Sequence, residues 1–401
     1  MSCSQFLIGT GKAIITPALG TAMAGFAGRE HGADSVRDDL ELRVFWVDAE
    51  GNEAGPVCVI CADLIGIGAR FAAQVREDLA GSFGIKPGSV LLAASHTHCG
   101  PQALENLIDT GAIDPEYLTR LRRQCLEAAT DAKDSIRRAV LKAGRGALEG
   151  GYAINRRRRI NGEMGMAPNP EGIRDDEVTT LAFHDPQSGE VLAVLFHFTC
   201  HASTVSGYGI SGDYPAEARR YVERALPGAV AGFLQGCCGD VRSNCTFVGG
   251  QRFRSGQSED LKAFGAALGA HVVHLVHTAQ DSFAPALLGR LDQASLPLEK
   301  EGEYVGLPLQ RLDLAKEVSL VGLGGEPVVE YGHFVKQLRP GAYALPVGYA
   351  NAVVAYIPTA HMFEEGGYET HSSCRYFGLP SSFHPSMEGV IQAKIREMME
   401  D

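Results

Sequence analysis

The sequence predicts an α/β protein, because short apolar runs rich in β-branched residues alternate with longer segments whose apolar residues recur every three or four positions. Several short runs are apolar over their whole length, which is typical of strands covered on both faces. The 401 residues can bury one large core or two moderate ones. No repeat, low-complexity linker or clear boundary interrupts them, so we expect a single domain over residues 1–401.

The individual elements follow from these two patterns. Strands are predicted where apolar and β-branched residues run together, at 41–49, 55–67, 89–95, 190–200, 229–236, 318–325 and 352–357. Helices are predicted where the three- and four-residue spacing is sustained, at 70–83, 115–136 and 259–280. The segment 161–177 is short and rich in Gly, Pro and polar residues, and we interpret it as an internal loop.

Composition and charge argue against several classes of protein. Hydrophobic residues make up 45% and charged residues 21%, and the net charge of −12 disfavours a general nucleic-acid binder. Neither a membrane-spanning apolar run nor the pattern of a signal peptide is present. Ten cysteines are too sparse for a disulfide framework, and Cys58 and Cys61 lie inside an apolar run. We therefore expect a reduced, cytoplasmic protein that acts on a small molecule, with its oligomeric state left open.

Four predicted strands end in side chains that could bind a metal ion. His96 and His98 follow the strand at 89–95 with the i, i+2 spacing that places both on one face. His197 and His201 bracket the end of another strand, and Glu326 follows a double glycine at which the backbone can turn sharply. The fourth stretch offers a longer set of polar side chains: Tyr356, His361, Glu364, Glu365 and Tyr368.

Two imidazoles and one carboxylate suit zinc, and a catalytic zinc site keeps one position open for water. A single histidine at a strand end is nevertheless more often structural or solvated, and the sequence contains no HExxH-type signature. Spacing by itself therefore leaves two interpretations open: a metal site, or ordinary polar residues at strand ends.

At these same residues the sequence resembles the neutral/alkaline non-lysosomal ceramidase family, in its catalytic domain. The resemblance covers nearly the whole chain, and its motifs follow one another in the family's order. They are residues 8–30, VCVICADLIGI, SHTHCGP, YAINR, HFTCHAST with ISGDYPAEA, FLQGCCGDVRSN, LGGEPVVEYG and GYANAVVAYIPTAHMFEEGGYE. The resemblance implies mixed β-sheets flanked by helices, without the C-terminal immunoglobulin-like domain of typical ceramidases.

Carried over by motif, the resemblance also implies the roles of individual residues. Zinc-activated water would attack the substrate, and the zinc ligands would be His96, His201, Glu326 and Tyr356. His98 would hold the substrate or move protons, Arg156 would polarise the scissile carbonyl, and Tyr368 would complete the pocket. Asp213 and Asp240 are expected to orient ligands or cap loops rather than to act as bases.

One position departs from the family pattern. The family motif GDVSPN places a serine beside the zinc, whereas this chain has Arg242 there, followed by Ser243. Arginine is no nucleophile at neutral pH, but it clamps a carboxylate or phosphate through two donors. Arg242 and Ser243 are therefore predicted to bind the substrate, which we expect to be small and anionic. The alternative is that Arg242 pairs with a carboxylate of the protein; the run 157–159 is expected to be a solvated basic loop.

The sequence thus favours a zinc-dependent hydrolase of the ceramidase type that cleaves an amide or ester bond of a small anionic substrate. Three alternatives stay open: a true neutral ceramidase (an N-acylsphingosine amidohydrolase), a zinc-assisted lyase or glycosidase on the same site, and a non-catalytic binding protein. The absence of a secretion signal and of the C-terminal domain argues against ceramide. The presence of every metal-site residue that the resemblance implies argues against a binding protein.

Overall fold

The computed structural model describes residues 5–108, 111–247 and 250–400. The predicted α/β architecture is confirmed, with mixed sheets and flanking helices. The strands are β1 (Phe6–Ile14), β2 (Ser35–Val36), β3 (Glu41–Ala49), β4 (Val57–Ala62), β5 (Val90–Ala94), β6 (Arg137–Ala147), β7 (Ala153–Ile160), β8 (Glu163–Asn169), β9 (Glu177–His184), β10 (Val191–Phe198), β11 (Gly209–Ile210), β12 (Val230–Gln235), β13 (Val241–Ser243), β14 (Asp281–Phe283), β15 (Leu288–Pro297), β16 (Tyr304–Ala315), β17 (Val318–Leu323), β18 (Glu326–Pro327), β19 (Tyr343–Val347) and β20 (Tyr356–Ile357). The α-helices are α1 (Ala69–Phe83), α2 (Pro115–Asp134), α3 (Asp213–Ala225), α4 (Ser258–Thr278), α5 (Val329–Leu338), α6 (Ala360–Glu365) and α7 (Met387–Met399).

A nine-stranded mixed sheet forms the centre of the fold. Its strands lie in the order β12-β10-β9-β6-β1-β3-β4-β5, and β14 pairs with β6. The pairs β10–β12 and β4–β5 are parallel, and the other pairs along this path are antiparallel. In β4, Cys58 and Ile60 belong to one apolar core while Val57 and Val59 belong to another, because successive side chains point to opposite faces. The prediction that these strands are covered on both faces is confirmed.

The two faces of this sheet are covered by different layers. Helices α2, α3 and α4 pack on one face, where Leu121, Val222 and Leu268 join the core. A four-stranded sheet, β15-β16-β17-β19, covers the other face, and its Leu320 and Leu345 share a core with the central sheet. Helices α5 and α7 pack in turn on the four-stranded sheet. Both sheets are therefore buried, which explains the continuous apolar runs.

The predicted helices are confirmed within a few residues, and local chemistry sets their ends. Asp114 precedes α2 and accepts hydrogen bonds from the backbone N–H groups of Glu116 and Tyr117, with proline at the first helical position. Gly84 ends α1 in the left-handed conformation, at φ 71°. Gln257 and Asp260 form a reciprocal capping box at the start of α4.

Two predicted elements are wrong. In the predicted strand 352–357 only Tyr356 and Ile357 are extended in a sheet. The preceding residues form a buried loop, in which the backbone N–H of Asn351 donates to Leu92 in β5 and that of Val353 donates to Ile67 beyond β4. Its apolar residues therefore report burial, not strand structure.

The predicted loop 161–177 contains strand β8. Strands β7 and β8 form a hairpin whose turn is Asn161-Gly162, with φ values of 51° and 93°. Positive φ at both central residues is the type I′ geometry that an Asn-Gly pair favours. This turn signal outweighs the polar composition on which the loop prediction rested.

Two further expectations concern the helices and the cysteines. In the part of the chain that the structure describes, no helix combines the length and the apolar character that a membrane span needs. The nine cysteines described there are all buried thiols, and Cys58 and Cys61 lie within strand β4, as predicted.

Candidate active site

Four candidate metal ligands from distant parts of the sequence meet where strands begin or end. His96 lies two residues beyond β5, and His201 lies shortly beyond β10. Glu326 begins β18 and Tyr356 begins β20, and these two residues are direct partners in a parallel pair. The arrangement places side chains separated by up to 260 positions around one point.

The backbone turns sharply at this point. His96 has a φ of 60°, which non-glycine residues seldom adopt, and its ring stacks on Tyr349 with centroids 3.9 Å apart. Tyr349 itself has a φ of 55°. Gly325, the second glycine of the double glycine, has a φ of 76° and lets the chain reverse direction immediately before Glu326. The predicted sharp turn before Glu326 is confirmed.

Hydrogen bonds fix which nitrogen of each ligand histidine carries the proton. His96 Nδ1 lies 2.6 Å from the carbonyl oxygen of Ile65, and His201 Nδ1 lies 2.5 Å from that of Cys238. A carbonyl oxygen accepts and cannot donate, so Nδ1 must be the protonated nitrogen in both rings. Nε2 is therefore the acceptor nitrogen in both rings, and it lies near Glu326 in each case. Arg156 Nη1 lies 3.4 Å from His201 Nε2, and His98 Nε2 lies 3.1 Å from His96 Nε2.

The resulting cluster consists of acceptors that face one another. Glu326 Oε2 lies 3.1 Å from His96 Nε2 and 3.4 Å from His201 Nε2, yet it is buried and makes no hydrogen bond of good geometry with any described residue. The ligand atoms of His96, His98 and His201 all lie within 4.8 Å of one another. A buried carboxylate oxygen without a donor is costly, and a cation among these atoms would satisfy it together with the imidazole nitrogens. The donor set of imidazole and carboxylate suits zinc.

Burial keeps the imidazoles of His98 and His201 neutral. It lowers the pKa of His201 to about 4, helped by the positive charge of Arg156, and it holds the pKa of His98 well below the ordinary value. Burial opposes the charge on Glu326, but the adjacent His96 outweighs it, so that the pKa of Glu326 lies well below the ordinary value. At neutral pH His98 and His201 are therefore neutral and Glu326 is a carboxylate, the forms that bind metal.

Arg156 lies beside this cluster. Its guanidinium stands over the rings of Tyr356 and Tyr368, at 5.4 and 5.5 Å, and its Nε donates to Glu369 over 2.9 Å. Burial opposes its charge, but Tyr356 and Glu369 raise its pKa well above the ordinary value. Its Nη2 is buried and finds no hydrogen-bond partner among the described residues. Arg156 is thus a fixed cation whose Nη2 is available as a hydrogen-bond donor.

His98 occupies the other side of the cluster. Its Nε2 lies 3.1 Å from His96 Nε2, and its buried Nδ1 makes no hydrogen bond within the described ranges. The edge of its ring packs against Phe26, with centroids 5.0 Å apart. Gly25 passes so close that a Cβ there would stand 2.6 Å from His98 Cγ, so only glycine fits. His98 is near enough to ligate a metal and also lines the cavity, and geometry alone permits both roles.

A cavity of about 890 Å³, its open mouth included, leads to these residues. His96, His98, Arg156, Arg242 and Glu326 form its polar end. The rest of the wall is largely apolar and aromatic: Phe26, Ile65, Leu104, Leu107, Met166, Tyr376 and Phe377.

Arg242 and Ser243, the residues at which the chain departs from the family motif, lie on opposite sides of strand β13. Arg242 lines the cavity and lies over the ring of Phe253, 4.4 Å from its centroid. Ser243 does not line it; its buried hydroxyl lies 2.7 Å from that of Thr204. Alternation along β13 explains the difference, because neighbouring side chains of a strand point to opposite faces. The structure therefore does not bring Ser243 to the cavity.

The comparisons with known proteins agree with this arrangement. The sequence pattern of the neutral/alkaline non-lysosomal ceramidase family, in its N-terminal part, matches residues 6–263. The chain belongs to this family. Neutral ceramidase A of Dictyostelium discoideum is 28% identical over 293 residues, which cover 65% of this chain and 38% of that protein. The chain thus matches well under half of the length of that relative.

Solved structures share the fold of this ceramidase-family chain. The neutral ceramidase of Pseudomonas aeruginosa superposes with a TM-score of 0.81 at 18% identity, covering 98% of this chain and 74% of that one. A ceramidase complexed with C2 gives a TM-score of 0.80 at the same identity, with 98% and 75% covered. The fold is therefore that of the ceramidases, as predicted.

Some candidates of this ceramidase-family chain lie away from the cavity. His361 is exposed and pairs with Glu330 over 3.0 Å and with Glu365 over 3.5 Å, while Glu364 does not line the cavity.

The prediction of a solvated loop at 157–159 is wrong for Arg157, which is buried and donates to Glu369 over 2.7 Å. Arg158 is half-buried, and of these three arginines only Arg159 is exposed. Burial thus decreases along β7 toward the hairpin turn, and the register of the pair shifts between Asn155 and Arg157.

The two aspartates adjoining the site accept backbone hydrogen bonds. Asp213 accepts from Val205 and Tyr214, and Asp240 accepts from Val329 over 2.8 Å. Burial raises the pKa of Asp240 to about 6. These hydrogen bonds to backbone N–H groups are typical of aspartates that cap loops.

Sequence reasoning missed three residues around the site. Glu369 joins Arg156 to Arg157, Tyr349 stacks on His96, and Phe26 covers His98. Each lies inside a stretch that carries the family resemblance, and Glu369 directly follows Tyr368. No signal in the sequence identifies Glu369, because the burial of its two arginine partners is seen only in the structure.

Proposed function

We propose that residues 1–401 act as one zinc-dependent hydrolase domain that cleaves an amide or ester bond of a small anionic substrate. The observation that carries the proposal is the group of three buried atoms, His96 Nε2, His201 Nε2 and Glu326 Oε2, none of which can donate to another and of which Glu326 Oε2 has no hydrogen-bond partner among the described residues. Zinc would be held by these three residues and by Tyr356, whose hydroxyl lies 3.5 Å from His201 Nε2. The cytoplasmic location remains a prediction.

Zinc in this site would supply a water molecule of lowered pKa and a Lewis acid for the scissile carbonyl. The carbonyls of Ile65 and Cys238 hold the two ligand rings in the tautomer that leaves Nε2 free. Tyr356 and Tyr368 enclose Arg156 and exclude water from its guanidinium.

Two residues of the cavity take part directly in the proposed reaction. The unpartnered Nη2 of Arg156 is available to a developing oxyanion, and a fixed cation of this kind is commonly a large catalytic contribution. His98 Nε2 is the atom that we assign to proton transfer to the leaving group.

A ceramidase is the second candidate, because the family membership and the apolar wall of the cavity both favour it. Leu104, Leu107 and Met166 could contact an acyl chain. Hydrolysis of a fluorescent ceramide in detergent, compared with water-soluble N-acyl compounds, separates the two candidates. A product mass without added water would indicate elimination on the same scaffold.

The test of zinc dependence combines metal analysis with hydrolysis of an activated ester. The purified protein should hold one zinc ion per chain and lose activity on chelation, and His96→Ala and His201→Ala should each abolish metal retention. His361→Ala removes an exposed imidazole that does not line the cavity and serves as the matched control. Full zinc occupancy in His201→Ala would contradict the proposal.

A further inference from the structure

Arg242 is a cation without an anion. Its Nε is buried and unpartnered, and no hydrogen bond or ion pair joins its side chain to any residue that the structure describes. The guanidinium rests on the ring of Phe253 and faces the cavity. By contrast, Arg156 and Arg157 both pair with Glu369. A largely buried charge without a partner is costly, so the site is built for a partner that is not part of the described chain.

The carboxylates around this region are engaged by other groups. Asp213, whose charge raises the pKa of Arg242, accepts hydrogen bonds from the backbone of Val205 and Tyr214. Asp240 accepts from the backbone of Val329 and from Asn155 Nδ2, at 2.8 Å each, and Glu326 faces His96 and His201. None of these carboxylates forms an ion pair with Arg242 among the described residues. The alternative that Arg242 pairs with a protein carboxylate therefore has no support in these contacts.

Burial and the neighbouring charge of Arg156 lower the pKa of Arg242, although a guanidinium stays charged in proteins. The two cations repel each other across the cavity. An anion placed between them would relieve this repulsion.

The backbone places Arg242 next to a candidate metal ligand. Residues 242 and 201 form an isolated parallel bridge, so that their chains run about 4.8 Å apart. Arg242 also lines the same cavity as His96 and Glu326, so an anion bound by Arg242 would lie beside a carbonyl group at the acceptor cluster. The substrate must carry its negative charge close to the bond that is cleaved.

The remaining wall of the cavity favours an apolar group. Leu104, Leu107, Met166, Tyr376 and Phe377 line it, and none of them carries a charge. One end of the substrate is thus apolar while the other bears an anion. An amide with an apolar acyl group on one side and a carboxylate next to its nitrogen has this layout.

We propose that the substrates are N-acylated amino acids, and that Arg242 selects them by a bidentate contact with their carboxylate. This inference rests on the proposed function. In the reaction the amide C–N bond breaks, the hydroxyl of water joins the acyl carbon, and the remaining proton goes to the nitrogen. The products are a carboxylic acid and a free amino acid.

The experiment compares N-hexanoylglycine with its uncharged counterpart N-hexanoylglycinamide, using the zinc-loaded full chain. The native protein should prefer the carboxylate. Arg242→Met should reduce kcat/KM for N-hexanoylglycine about 10- to 150-fold, the range of a bidentate charge-assisted contact, and change kcat/KM for the uncharged amide much less. Arg242→Lys should retain part of the preference. Arg159→Met, which removes an exposed cation from strand β7, is the matched control for net charge.

Binding provides a second measurement that needs neither turnover nor metal. Calorimetry on the chelated protein should show that N-hexanoylglycine binds the native chain and Arg242→Lys more tightly than Arg242→Met. Equal affinities, or an equal loss of both activities in Arg242→Met, would overturn the inference. If zinc-dependent cleavage of p-nitrophenyl hexanoate persists while neither amide is cleaved, the inference fails and the proposed hydrolase stands. If no ester or amide is cleaved and no zinc is retained, the proposed function itself fails.

Discussion

Replacement of Glu369 by glutamine tests whether the buried ion network holds Arg156 in place. Glu369, which is 3% exposed, accepts from Arg156 Nε over 2.9 Å and from Arg157 Nη1 over 2.7 Å. Glu369→Gln keeps the shape of the side chain but removes its charge. Arg156 then has no carboxylate among the described residues, whereas Arg157 keeps Glu365 at 2.9 Å.

The expected cost follows from the burial of the pair. Removing one partner of a buried ion pair costs about 3–5 kcal/mol, because the other charge stays buried without compensation. The glutamine oxygen still accepts one hydrogen bond and Arg157 keeps a partner, so we expect a loss of unfolding free energy near the lower limit, about 3 kcal/mol. Arg156 should also lose its orientation, and kcat should fall about 100-fold or more with little change in KM.

Urea unfolding and steady-state hydrolysis measure the two effects. Glu365→Gln is the matched control: its side chain is 32% exposed and contacts only Arg157 of the two arginines, so the change should cost less than about 1 kcal/mol. If Glu369→Gln unfolds at the same urea concentration as the native protein, or if the two variants are equally destabilised, the reasoning is refuted.

Three other predictions use single substitutions. His98→Ala should retain zinc by metal analysis and lose about 100- to 10,000-fold in turnover, the range of a general acid or base; loss of zinc from the folded variant would make His98 a ligand. Burial lowers the pKa of His197 to about 4, whereas the unfolded value is about 6.5. Between these two pH values the unfolded chain binds more protons than the folded one. About 3 kcal/mol of unfolding free energy should therefore be lost as the pH falls through this range. His197→Gln should flatten this part of the urea-derived pH profile, and an unchanged profile would contradict the assignment. Gly25→Ala should lower the melting temperature and the activity more than Gly28→Ala, since both have positive φ but only Gly25 would meet His98 at 2.6 Å; equal effects would exclude the clash.

Much of the fold could be predicted because burial on both faces leaves a continuous apolar run in the sequence. Strand β3 and helix α2 were located within a few residues on this basis. Strand β8 could not be found by hydrophobicity, because its residues alternate weakly and part of the hairpin is exposed. The buried loop before Tyr356 was predicted as a strand because the residues of a loop inside the protein are as apolar as those of a buried strand.

The residues of the candidate site could be predicted from the sequence, but the contacts between their side chains could not. His96, His201, Glu326 and Tyr356 meet as the family resemblance implies. Nothing in the spacing of the sequence reveals that Arg156 and Arg157 share Glu369 from a position more than 200 residues away. Such a pairing depends on tertiary structure, which one sequence does not encode in any local pattern.

The spread of the candidate ligands along the chain has a kinetic consequence. Residues 96, 201, 326 and 356 become neighbours only after the central sheet and the β18–β20 pair have formed. A metal ion therefore cannot template early folding, in contrast to sites whose ligands lie close together in sequence, because the loops to be closed are long. Zinc would bind late and lock a structure that already exists. Chelation should accordingly accelerate unfolding while leaving the early refolding phases unchanged.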